Sequence, residues 1–91
     1  GDDHPGLYRR ALHIVENEIH WIRPDLAMEV GCRRRYAVRI RYRQPLQNAE
    51  LIRTDEGLYI RFDEPQRGVT AGQFAAWYDG DELVGSGVIE R

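Results

Sequence analysis

The sequence predicts an all-β domain, a small closed or nearly closed barrel of six short strands. Three observations carry this expectation. Residues 33–43 alternate strictly, with Tyr36, Val38, Ile40 and Tyr42 on one face and Arg35, Ala37, Arg39, Arg41 and Arg43 on the other. That period of two marks a half-buried strand. Turn signals separate the apolar runs, at Thr54-Asp55-Glu56-Gly57, at Gly72 and at Asp79-Gly80. Almost no segment keeps a helical period. Closure into a barrel removes the unpaired edges that would otherwise recruit a second chain.

The elements follow in order. Residues 12–22 are rich in β-branched side chains, but Ile14, Ile19, Trp21 and Ile22 fit neither period cleanly, so the spacing predicts a strand with an irregularity near Glu16–Glu18. Pro24 breaks this run, and residues 23–31 form a connection. The alternating strand 33–43 comes next, ended or kinked by Pro45. A third strand covers residues 46–53. Leu58, Ile60 and Phe62 share one face of a fourth, followed by a loop over residues 63–68. Residues 74–78 form a fifth strand after the turn at Gly72. The turn Asp79-Gly80, where both residues tolerate positive φ, leads to a sixth over residues 82–89. Gly85 and Gly87 in that strand predict close backbone approach or curvature.

At 91 residues the chain has room for one core. It divides into a leading segment, residues 1–9, expected to be a disordered start or a linker or tag remnant, and the barrel, residues 10–91. Because Gly1 is not Met, the chain reads as a piece of a longer protein. No apolar stretch approaches the about 20 residues of a membrane helix, and residues 1–6 lack the basic and apolar runs of a signal peptide. One cysteine, Cys32, makes no internal disulfide, which predicts the reducing cytoplasm.

Charge is unevenly distributed. All 13 basic residues are Arg, against 15 acids, for a net charge of −2. Taken as a mean, this argues against a wholly basic nucleic-acid binder. Residues 33–53, however, hold seven Arg (33, 34, 35, 39, 41, 43 and 53) and one acid, Glu50. That window carries +6 and the remainder −8. Arginine forks suit phosphate, and guanidinium planes stack on bases. Two readings stay open for the strip: nucleic-acid contact, with Tyr36 and Tyr42 nearby for stacking, or a solvated face paired to acids on neighbouring strands.

Enzyme chemistry is sparse. His4, His13, His20 and Cys32 lack the spacing of metal ligands. Ser86, the only serine, has no nucleophile elbow around it. Arg33 to Arg35 next to Cys32 favour a thiolate, but a small residue at a strand start is the plainer reading. The acids at Asp63-Glu64 and Asp79 to Glu82 sit at predicted turns, as solvated acids do. A phosphate loop of the Gly-rich, Lys-containing kind is excluded, since the chain has no Lys.

Five segments occur in series: Arg41-Tyr42-Arg43-Gln44, Phe62-Asp63-Glu64-Pro65-Gln66-Arg67, Val69-Thr70-Ala71-Gly72-Gln73, Tyr78-Asp79-Gly80-Asp81 and Gly85-Ser86-Gly87-Val88-Ile89. In this order and spacing they resemble the C-terminal domain of tRNA-specific 2-thiouridylases, from about His20 to Glu90. The resemblance implies a barrel like the second domain of translation elongation factors. It implies a longer parent enzyme that thiolates the wobble uridine of tRNA at position 2, using ATP with Mg and a cysteine persulfide from a sulfur-donor protein. The ATP loop and catalytic cysteines would lie in an N-terminal domain, joined to the barrel by a central domain. Cys32 matches neither cysteine, and this chain would hold no catalytic residue and no cofactor. The barrel's share would be tRNA contact through Arg41, Tyr42 and Gln73, with Arg39 and Arg43 secondary. A scaffold barrel that packs on other domains or on a protein partner is the alternative. The chain departs from the family in having Ala71 where Pro is usual, and Leu83-Val84-Gly85-Ser86-Gly87 where Cys-Leu-Gly-Gly-Gly is usual.

Overall fold

The first predicted strand is cut in two by a single turn, and that cut lets the sheet curl into a nearly closed barrel. The computed structural model describes residues 8–69 and 72–90. Residues 1–7 of the expected leading segment lie outside the described residues, as do Thr70 and Ala71 of the Gly72 turn. Strand β1 runs Tyr8–Val15, a 3-10 turn covers Glu16–Glu18, and β2 runs Ile19–Trp21. A second 3-10 turn, Pro24–Leu26, leads towards β3 (Arg33–Arg39), β4 (Gln47–Thr54), β5 (Gly57–Arg67), β6 (Phe74–Asp79) and β7 (Glu82–Val88). The strands make one antiparallel sheet in the order β1-β5-β4-β3-β6-β7-β2. The two outermost strands, β1 and β2, are consecutive in the chain. One bent run of sequence therefore supplies both edges, and the six-strand expectation and the seven observed strands describe the same barrel. A bridge between His13 and Glu90 adds to the closure, with the Glu90 N–H donating to the His13 carbonyl at 2.8 Å.

The alternation seen in the sequence becomes an inside and an outside. Leu12 and Ile14, Val38, Ala49 and Leu51, Leu58, Ile60 and Phe62, Ala75 and Trp77, and Val84 fill the interior. Trp77 is the largest of them, set edge-on to Trp21 with ring centroids 5.5 Å apart. The expected close approach at the β7 glycines is present. A Cβ on Gly85 would stand 2.7 Å from the Trp77 ring, and one on Gly87 would stand 2.7 Å from Ile14 Cγ2.

Three local expectations are corrected. The alternating strand ends at Arg39, not Arg43. Its pairing with β4 stops at Val38 and with β6 at Arg39, and the Ile40 N–H donates to the Gln44 side chain instead of a neighbouring strand. The predicted loop over residues 63–68 is strand as far as Arg67, because Tyr8 and Arg9 of β1 pair with Arg67 and Gln66 across a register shift. The β6–β7 turn is Gly80-Asp81, one residue later than expected, between the paired Asp79 and Glu82. Only Gly80 there has positive φ, at 61°.

Candidate nucleic-acid interface

The site grows from the end of β3. Past Arg39 the chain has no ladder partner and turns back towards Pro45. The Gln44 N–H donates to the Arg41 carbonyl at 3.1 Å, and the Gln44 side-chain oxygen accepts from Ile40 N–H at 2.9 Å. The Gln44 amide then donates to Gln66 Oε1 at 2.7 Å, and Gln66 donates to the Glu64 carbonyl at 2.8 Å. Gln66 is only 5% exposed, so its amide requires these partners. Arg41 reaches the same segment, its Nη2 donating to the Arg67 carbonyl and, at 2.9 Å, to the Gly68 carbonyl. Two motifs distant in sequence are thus bolted together, which fixes the turn and aims its side chains outward.

Those side chains meet the start of β6. Arg39, Arg41 and Tyr42 from the β3 end, and Gln73, Phe74 and Tyr78 from the β6 side, line one open cleft of about 360 Å³. Ile40 and Ala76 complete the lining. Arg39 lies between two rings, 5.2 Å from the Tyr78 centroid and 5.7 Å from that of Tyr42. It donates to the Tyr78 hydroxyl at 2.9 Å and to the Tyr42 carbonyl at 3.2 Å. Tyr42 is 85% exposed and Phe74 63% exposed. None of the lining residues is acidic.

The basic strip divides into two halves of different character. Arg35 pairs with Asp63 at 2.5 Å, Arg33 with Glu50 at 3.8 Å and Arg53 with Glu16 at 3.2 Å. Arg34 donates to the Leu26 carbonyl at 2.6 Å. Its guanidinium is held further above its ordinary range, chiefly by the Tyr36 hydroxyl. Among the described residues, Arg39, Arg41 and Arg43 have no carboxylate within 4.0 Å. The paired half obeys the acid-neutralised reading of the strip, and the cleft half does not.

Four of the five sequence-derived contact residues come together: Arg39, Arg41, Tyr42 and Gln73 line the cleft. Arg43 is exposed in the same turn but outside the lining. Phe74 and Tyr78 were missed by the sequence reading. Strand parity held the signal, because Ala75 and Trp77 point inward and residues 74, 76 and 78 must face out. No group of three or more His, Cys, Asp or Glu among the described residues is placed to hold a metal ion. The chain has no Lys, so it carries no phosphate loop of the Gly-rich, Lys-containing kind. No helix among the described residues is long and apolar enough to cross a membrane.

A family profile described as the Aminomethyltransferase beta-barrel domain matches residues 11–89. The chain is 55% identical over 89 residues to the tRNA-specific 2-thiouridylase MnmA of Christiangramia forsetii, covering 98% of this chain and 22% of that protein. It is 53% identical over 87 residues to the Flavobacterium johnsoniae protein of the same name, covering 96% of this chain and 22% of the relative. Identity to the Pseudomonas aeruginosa protein of that name is 47% over 90 residues, covering 99% and 23%. The chain thus spans 22–23% of the length of these curated relatives.

Proposed function

Because the chain belongs to the Aminomethyltransferase beta-barrel domain family, we propose that it is the C-terminal, tRNA-contacting barrel of a longer tRNA-uridine 2-sulfurtransferase. The names of its relatives support that parent. The observation that carries the contact role is the cleft: Arg41, Tyr42 and Gln73, 31 or more residues apart across its two walls, line one unacidic surface. In this reading Arg41 takes a phosphate, Tyr42 offers a ring face and Gln73 a side-chain amide. Arg39 and Arg43 add positive charge beside them. ATP with Mg, the catalytic cysteines and the persulfide donor act at the parent's other domains, in the cytoplasm.

The test is made in the full-length enzyme. Arg41→Ala, Tyr42→Ala and Gln73→Ala lower tRNA affinity, and Arg41→Ala does so by about tenfold, the worth of one charge-assisted contact. ATP binding stays at the parental level in all three. Thiolation kinetics that stay unchanged across all three variants would sink the assignment.

A second reading concerns the other half of the strip. The Arg33–Glu50 and Arg35–Asp63 pairs favour a packing role for that part of the surface, against another domain of the same protein. A barrel supplied in trans that restores a truncated enzyme, while showing salt-insensitive association with it, supports that role.

A further inference from the structure

We propose that the cleft takes one unpaired base, stacked on Tyr42 and Phe74, and that Arg39 is the residue that positions Tyr42 to receive it. This rests on the reading of the barrel as an RNA-contacting domain, and adds which feature of the RNA it takes. Phosphate contact alone leaves the aromatic residues without a role. Tyr42 and Phe74 are the two most exposed large apolar side chains of the described barrel after Val30 is set aside, at 85% and 63%, and both stand on this one cleft. Exposed ring faces bordered by arginine and a side-chain amide are the chemistry that recognises splayed, single-stranded bases.

Strand register supplies the shape. Phe74, Ala76 and Tyr78 follow one another on the outward face of β6, and Ala76 lies opposite Arg39 of β3. The small Ala76 leaves a gap between two rings. Pairing of β3 with β6 ends at that point, so the turn carrying Tyr42 departs just where Phe74 would have had a partner. The gap is therefore open to solvent and walled by aromatic side chains.

Arg39 supplies the preorganisation. One guanidinium nitrogen holds the Tyr78 hydroxyl and the other the Tyr42 carbonyl, while its plane lies within cation–π range of both rings. Tyr42 is thereby tethered through its backbone carbonyl and by the guanidinium over its ring, and the side chain stays 85% exposed. A stacking surface held in place before binding loses less freedom on binding. A-form duplex cannot use such a surface, since its bases are already stacked.

The experiment compares two RNA probes against the full-length protein: a hairpin carrying 2-aminopurine at one unpaired loop position, and a blunt duplex of equal length. The hairpin is expected to bind about tenfold tighter, with a change in 2-aminopurine fluorescence. Phe74→Leu keeps apolar bulk but removes the ring. It is expected to abolish both the preference and the fluorescence change while duplex affinity and thermal stability hold. Arg39→Lys keeps the charge but not the fork, so it is expected to lose the preference while retaining the salt dependence of binding. A Phe74→Leu protein that keeps the preference overturns the stacking proposal. If Arg41→Ala still weakens both probes in that case, the RNA-contacting reading stands without it. If neither variant changes either probe, both fall.

Discussion

In the proposed contact Arg41 serves two ends at once, since the guanidinium that would meet RNA also ties its own turn to the carbonyls of Arg67 and Gly68. Gly68 makes this possible. It sits at φ +70°, and a Cβ there would stand 2.5 Å from Arg41 Nη2. Gly68→Ala is therefore expected to cost about 1–2 kcal/mol through the left-handed backbone alone. It should also displace Arg41 and lower RNA affinity as Arg41→Ala does, with the fold retained by circular dichroism. An unchanged affinity would mean that Arg41 binds from some other rotamer. A different residue tests the electrostatics of the β2–β7 edge. Arg23 grips Asp25 through two nitrogens, at 2.7 and 3.0 Å, and Glu82 through a third at 2.6 Å. The Arg23 hydrogen bond holds the Asp25 carboxyl below its usual range. A depressed folded-state pKa stabilises above the ordinary carboxylate value and is lost as pH falls through the folded one. Arg23→Gln should thus lower the melting temperature slightly at pH 7, with the gap to the parent closing in acid. The effect is small because the pair is exposed. At this scale the sequence was half legible. Parity put Tyr42 on the apolar face, yet its ring is outside, because the alternation that parity assumes ends once ladder pairing ends at Arg39.

Among the elements, β7 shows how a strand can be specified by what it lacks. Gly85 lies opposite both Trp77 and Trp21 in the ladder, and the Trp77 ring occupies the volume a Cβ would need. Gly85→Ala is expected to destabilise the barrel by about 1–3 kcal/mol, the usual cost of overpacking. Urea unfolding followed by tryptophan fluorescence would read it, since Trp21 and Trp77 are the two tryptophans of the chain. A midpoint equal to the parent's would show that the ring can move aside freely. The glycines were readable in the sequence as points of close approach. The irregularity at Glu16–Glu18 was readable as well, and it falls on the 3-10 turn that separates β1 from β2. The role of that turn was not readable. Which strand each half joins depends on β5 and β7, about 45 and 65 residues away, and local periodicity holds no record of so distant a partner. The extension of β5 to Arg67 was hidden for the same reason. Asp63, Glu64 and Pro65 have loop chemistry, and only pairing of Gln66 and Arg67 with β1 keeps the segment in the sheet.

On the scale of the whole molecule, the proposed RNA contact would draw on only part of the +6 strip. The barrel separates the strip by position. Arg33, Arg35 and Arg53 face carboxylates of neighbouring elements, and Arg34 is turned onto a backbone carbonyl. Arg39, Arg41 and Arg43 gather where β3 ends. The salt dependence of binding counts the phosphates that a protein neutralises, at about 0.7 to 0.9 of a unit in the log–log slope for each. The three arginines without a carboxylate partner among the described residues correspond to a barrel contribution of about −2 to −3, whereas engagement of all seven would give about −5 to −6. In the proposed full-length enzyme the other domains would add slopes of their own, so the informative quantity is the change on removing one charge. Arg43→Gln is the cleanest probe: the side chain is exposed and has no carboxylate partner among the described residues. It should flatten the slope by about 0.7–0.9. Arg33→Gln and Arg35→Gln should leave it unchanged, since those guanidinium groups already have counter-charges within the barrel. The opposite pattern would place the RNA across the sheet face of β3, β4 and β5, and the cleft would lose its claim to the contact.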